Sequence, residues 1–270
     1  MKVIDLERKV SIIGTGAMGG AVLQRLIESQ FVSPNSVFAC DIDHSTLKEI
    51  KDRFGVMTST DNKDGARFGD VIILAVPPKE ARQVLEEIGD SLSESKILVS
   101  LVALVPTGLI EEILHSRIGV VRIMPNIPSM VGSGFNVFSL GRYVTPEDKD
   151  WLKSLLNVLG EHEEVDEDKI ELYSILSAMG PTYFLPFVDA LIQFGMESGL
   201  AYKEARRAVS STLEGTGELV SRVDRPIEDL KNMIESQPLE KREEQMRSIL
   251  KEELNRTFQQ IRVAKERFAR

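Results

Sequence analysis

The chain has 270 residues, 42% hydrophobic and 28% charged, with 33 basic against 42 acidic side chains and a formal net charge of −9. That length suffices for one large domain or two ordinary ones with buried cores. The acidic balance leaves no general basic field to hold nucleic acid or an anionic membrane, and a single cysteine, Cys40, cannot close an intramolecular disulfide.

No run of about 18 uncharged apolar residues stands out, so no membrane span is expected. Residues 1–7 carry Asp5 and Glu7 where a signal peptide needs an apolar stretch. The expectation is a cytoplasmic protein.

Over the first 165 residues, short β-branched apolar runs alternate with stretches of helical period, the pattern of parallel strands joined by crossover helices. Strands are expected at residues 9–14, 36–41, 56–58, 70–76, 96–101, 120–124 and 135–140. Most are too continuously apolar to be half solvated, so helices should cover both faces of the sheet. Those helices are expected at 18–29, 45–53, 78–92, 106–115 and 146–159, three of them opening on proline.

Between the first strand and the first helix stands Gly14-Thr15-Gly16-Ala17-Met18-Gly19, a G-x-G-x-x-G turn in its required setting. Gly14 permits the tight turn, Gly16 lets a diphosphate approach the backbone, and Gly19 lets helix and strand pack closely. The helix start then offers main-chain amides to the phosphates. Asp41 ends the second strand, where an acid accepts hydrogen bonds from the adenosine ribose. A carboxylate there repels a 2′-phosphate, and residues 42–46 hold no arginine to receive one, so NAD(H) is slightly favoured over NADP(H). The alternative is that Asp41 or Asp43 only caps a helix.

Further on, Ala75-Val76-Pro77 closes the fourth strand, Ser100 the fifth, and Arg122-Ile123-Met124-Pro125-Asn126-Ile127-Pro128 the sixth. The two prolines stiffen a loop at the carboxyl edge, where open α/β sheets bind ligands. Arg122 either attracts a carboxylate or pairs with an acid, and the second reading is favoured.

After about residue 165 strand-like runs stop, giving expected domains of 1–165 and 166–270. In the charged last segment, Met246, Leu250, Leu254, Phe258, Ile261, Ala264 and Phe268 recur every three or four residues. That apolar stripe favours an ordered helix over a solvated tail, and a helical domain that completes its core against a second copy of itself.

The helical part also contains Leu176-Ser177-Ala178-Met179-Gly180-Pro181-Thr182-Tyr183. Taken with the preceding motifs in this order, the chain resembles the pyrroline-5-carboxylate reductase family over residues 9–222. The resemblance implies a Rossmann-type doubly wound α/β sheet followed by an all-helical dimerisation domain, an intertwined homodimer, an NAD(H) or NADP(H) cofactor and a small-molecule cyclic imine substrate. It implies that Gly14, Gly16, Ala17, Met18 and Gly19 hold the diphosphate and that Asn62 lies near the adenosine. Ala75, Val76 and Pro77 would lie under the ribose and nicotinamide, with Leu101, Val102, Ala103 and the loop of Asn126 beside that ring.

Three departures stand out. Ala178 and Met179 replace a glycine and a serine of the family's serine-glycine-serine-glycine-proline motif. The family's later serine-proline-glycine-glycine-threonine-threonine run, which receives the substrate carboxylate, is missing; after Leu230-Lys231-Asn232 the chain continues Met233-Ile234-Glu235-Ser236-Gln237-Pro238-Leu239. Asp41 stands where members often have a small hydroxyl residue.

A cyclic imine is protonated near neutral pH, so such a reductase works mainly by positioning. Ser177, Thr182 and Tyr183 are the candidate catalytic side chains, with capping by Ser177 and simple packing by Tyr183 as the alternative. His44, His115 and His162 are scattered, and no metal site is expected. Two further functions stay open: reduction of another imine or carbonyl compound, and a non-catalytic dinucleotide-binding regulatory role.

Overall fold

The computed structural model describes residues 8–268; the acidic residues Asp5 and Glu7 lie outside the described residues. Eight strands, β1 (Val10–Ile13), β2 (Val37–Cys40), β3 (Met57–Ser59), β4 (Val71–Leu74), β5 (Ile97–Ser100), β6 (Gly119–Met124), β7 (Gly134–Leu140) and β8 (Gly160–Glu164), form one sheet in the order β3-β2-β1-β4-β5-β6-β7-β8. The first six run parallel and β7 turns antiparallel to β6. The order reverses between β1 and β4, which is the switch point of a doubly wound sheet.

Side chains alternate between two cores, as strand geometry requires. Ile12 and Ile73 join Leu23 and Leu26 of α1 (Ala17–Glu28) and Trp151 and Leu155 of α6 (Pro146–Leu159) on one face. On the other, Ile13, Ile72 and Leu74 join Leu85 of α4 (Pro78–Ile88) and Ile110 of α5 (Thr107–Leu114). The helices start where the sequence supplies caps. Asp43 accepts from Ser45 N at 2.9 Å at the head of α2 (His44–Phe54), and Thr145 and Asp148 form a reciprocal capping box on α6.

Two elements escaped the periodicity. α3 (Asn62–Phe68) is too short to show a helical repeat. β8 reads Gly-Glu-His-Glu-Glu, with no alternation of apolar residues, because it is the edge strand of the sheet and faces solvent; its charges block pairing with another edge.

The chain divides into two compact units, Met1–Met179 with Thr257–Arg270, and Gly180–Arg256. The sheet ends at Glu164, but α7 (Ile170–Tyr173) and the π-helical turn Ser174–Ala178 belong to the first unit. The change of texture at 165/166 and the compact division at 179/180 therefore fall at different places. The second unit holds α8 (Gly180–Glu197), α9 (Tyr202–Arg222), α10 (Ile227–Asn232) and the first part of α11 (Glu243–Phe268). Gly195 of α8 lets Ala205 of α9 approach closely, since a Cβ there would sit 3.0 Å from that of Ala205.

Phe184, Phe187, Leu191 and Phe194 of α8 are all more than half exposed, and their three-and-four spacing puts them on one helix face. The helical stretch Glu167–Glu197 is long and apolar enough to cross a membrane by length and composition, with only 11% of its most apolar window buried. An expectation drawn from uncharged apolar runs passes over this stretch, because it carries charges such as Asp189.

Candidate functional site

Two glycines of the first turn are required by packing. A Cβ on Gly14, which has φ +88°, would lie 2.7 Å from the Ala75 carbonyl oxygen, and one on Gly19 would lie 2.0 Å from that of Gly14. Gly16 differs. It is exposed, its φ of −63° suits any residue, and a Cβ there meets no protein atom within 4 Å. No side chain caps the start of α1, and an uncapped helix start directs its free amides and positive dipole end outward. The turn therefore presents a cradle suited to a diphosphate.

Asp41 leans onto this turn. Its Oδ2 accepts from Thr15 N at 2.7 Å and from Thr15 Oγ1 at 2.9 Å, and its Oδ1 accepts from Asp43 N at 3.0 Å. Capping of α2 falls to Asp43, whose carboxyl is held below its ordinary range by the Ser45 N–H and the Thr46 and Ser45 hydroxyls. Nearby, burial pushes the Cys40 thiol up to about 12, leaving it inert. Asn62 opens α3 and donates its amide to Glu87 Oε2 at 3.0 Å. Neither Asp41 nor Glu87 forms an ion pair among the described residues.

Ala75 and Val76 abut Gly14, so the structure brings the end of β4 to the glycine turn. The loop leaving β5 stays in register with it, Leu101 N donating to Leu74 O at 2.8 Å. Beyond β6, Asn126 is 8% exposed. Its Oδ1 accepts from Phe135 N at 3.1 Å and its Nδ2 donates to Ser177 Oγ at 3.2 Å. Ser177 in turn donates its proton to Phe135 O at 3.1 Å. It lies in the π-helical turn, a distortion common at functional positions, which here aims its hydroxyl at Asn126. Thr182 and Tyr183 lie in the second unit, on the first turn of α8. Burial raises the Tyr183 phenol above its ordinary value.

Arg122 pairs with an acid, as favoured. It is wholly buried, its Nη2 donating to Glu171 Oε1 at 2.9 Å with Glu167 at 3.7 Å. Lys265 of α11 takes the other Glu171 oxygen at 2.7 Å. Burial alone would raise the Glu171 carboxyl, but the Lys265 hydrogen bond and the Arg122 charge outweigh it and hold it low. Glu167 also accepts from Thr107 N and Oγ1 at the head of α5, at 2.7 and 2.8 Å. The sequence signals neither Thr15 as the partner of Asp41 nor this acid–base cluster, because the partners lie many residues apart.

Two family models match the chain, one described as NADP oxidoreductase, coenzyme F420-dependent, over residues 9–104, the other as pyrroline-5-carboxylate reductase dimerisation over residues 167–238. The pyrroline-5-carboxylate reductase of Corynebacterium melassecola is 30% identical over 230 residues, covering 84% of this chain and 85% of the relative. This chain belongs to the pyrroline-5-carboxylate reductase family. Another family member, from Methanosarcina acetivorans, is 29% identical over 230 residues, covering 85% of each chain. Among solved structures, the Plasmodium falciparum pyrroline carboxylate reductase with NADP bound superposes with a TM-score of 0.82 at 26% identity, over 96% of this chain and 98% of that one. The Coxiella burnetii pyrroline-5-carboxylate reductase gives 0.72 at 28% identity, over 97% and 98%. The Rossmann-type sheet with a following helical domain is thus the architecture of the family.

Proposed function

We propose that the chain is an NAD(P)H-dependent oxidoreductase that reduces the C=N bond of a small cyclic imine acid, 1-pyrroline-5-carboxylate, the substrate in its relatives' names. The observation that carries this reading is the glycine turn, where Gly14 and Gly19 have no room for a side chain while Gly16 opens onto empty space. When bound, the reduced nicotinamide supplies a hydride to the imine carbon. The main-chain N–H groups at the start of α1, at Ala17 and Met18, hold the diphosphate. Ala75, Val76, Pro77, Leu101, Ala103 and Asn126 line the end over β4, β5 and β6. Thr182 and Tyr183 are assigned to hydrogen-bond the substrate. Ser177, a third catalytic candidate by sequence, donates its hydroxyl hydrogen bond to the Phe135 carbonyl, and we assign it to holding Asn126. Because the imine nitrogen is protonated near neutral pH, orientation and exclusion of water supply most of the acceleration.

The preference for NAD(H) is assigned to Asp41, whose charge faces the ribose end and opposes a 2′-phosphate. Asn62, tied to Glu87, belongs to the same end. The second unit is read as the dimerisation surface, supported by the dimerisation model over residues 167–238 and by the exposed apolar face of α8. A cytoplasmic location suits a chain whose one cysteine is buried and unpaired.

One observation favours a second reading. α10 ends at Asn232, a 3-10 turn follows at Glu240–Arg242, and α11 then runs for 26 residues, leaving no glycine-threonine loop for the substrate carboxylate. That suits a related imine or carbonyl acid bound in another way. Mixing the protein with NADH or NADPH and 1-pyrroline-5-carboxylate separates these. Cofactor oxidation in proportion to enzyme supports the first reading, oxidation only with other imines or ketones the second. Tight cofactor binding with no oxidation overturns both in favour of a regulatory role.

A further inference from the structure

Three described residues other than glycine have positive φ: Gln30 at 58°, Leu104 at 69° and His115 at 47°. Gln30 and His115 close the last turns of α1 and α5, where left-handed residues commonly cap helices. Leu104 caps nothing. It is the second residue of the Ala103–Leu104 turn between β5 and α5, a position that turns of this kind give to glycine. For leucine it is disfavoured by contact between Cβ and the following carbonyl.

Packing within the three cores does not account for it. Val102 and Val105 on either side are 1% and 2% exposed and sit in one core. Leu101 and Ala103 pack against the other two. The Leu104 side chain belongs to none of the three. Its neighbours fix its backbone, since Leu101 N bonds Leu74 O and Thr107 N bonds Glu167. The fold thus holds an apolar residue in a strained conformation and leaves its half-buried side chain outside the three cores, at the carboxyl edge of the sheet.

If the diphosphate lies on the glycine turn and the ribose beside Asp41 on the β2 side, the nicotinamide end falls over β4 to β6, where this loop stands. We infer that Leu104 is a specificity-determining residue that sets its apolar side chain against the nicotinamide ring. This rests on the dinucleotide reading above.

The test uses Leu104→Gly and Leu104→Ala in the full chain, with thermal melting of the free protein and calorimetric affinities for NADH and for ADP-ribose, which lacks the nicotinamide. Leu104→Gly relieves the strain but gives up a half-buried side chain, so it melts within about 2 °C of the wild type, yet binds NADH about tenfold more weakly, with ADP-ribose affinity unchanged. Leu104→Ala, which keeps the strain, shows the same loss for NADH and melts below Leu104→Gly. Wild-type NADH affinity in both variants overturns the inference, and so does an equal loss for both ligands, which marks general damage to the loop. Wild-type protein that binds neither ligand overturns the dinucleotide reading along with it.

Discussion

Asp41 and Thr15 are joined by two hydrogen bonds, 2.7 Å from the Thr15 N–H and 2.9 Å from its hydroxyl, both to one carboxylate oxygen. The residue proposed to face the ribose is therefore also the brace of the glycine turn. Asp41→Ser removes the charge and shortens the brace. We expect the ratio of NADPH to NADH affinity to rise about tenfold or more, with some loss in the affinity for both. A ratio equal to that of the wild type in calorimetric titrations would remove Asp41 from cofactor choice.

Gly16→Val separates binding from folding. The side chain enters open space at an ordinary φ, so circular dichroism and melting stay near those of the wild type while dinucleotide binding is lost. Gly19→Ala behaves in the opposite way: with the Gly14 oxygen 2.0 Å from the new Cβ, the first crossover cannot close and the protein unfolds or aggregates. Retained NADH affinity in the Gly16 variant counts against the proposed phosphate position.

Glu171 makes stability depend on acid. Its folded pKa lies below the ordinary 4.5, so its contribution is complete above that pH and is lost as the pH falls through the folded value. Glu171→Gln leaves the buried Arg122 without the charge of its 2.9 Å partner, a loss on the order of 3 kcal/mol at neutral pH. Exposed carboxylates such as Asp43 and Glu243 are also held low, so the comparison is between wild type and variant. Their melting temperatures converge as the pH drops below 4.5, and a gap that stays constant down to pH 3 would exclude the linkage.

Phe187 and Leu191 are each 56% exposed on α8. A double Phe187→Glu, Leu191→Glu variant places two charges on the face assigned to the partner copy, and sedimentation should then find monomer where the wild type is dimeric. Removal of residues 239–270 should likewise release an unstable or aggregating monomer, since α11 carries the apolar stripe and supplies Lys265 to Glu171. Dimers that persist in the double variant would show that this face is not the interface.

The Rossmann-type sheet was legible in the sequence because its central strands, such as Val10–Ile13 and Val71–Leu74, are buried on both faces and so must be continuously apolar. The glycine turn was legible because glycine is demanded locally, by φ at Gly14 and by contact at Gly19. β8 was not, since a solvated edge strand is held by main-chain bonds to β7 and needs no apolar pattern. Only the tertiary structure decided that Asp41 braces Thr15, that the Ser177 hydroxyl donates to the Phe135 carbonyl, that Glu171 sits between Arg122 and Lys265, and that Leu104 is strained. Each depends on distances between residues far apart in the chain or on a backbone angle fixed by its neighbours, and composition and periodicity encode neither.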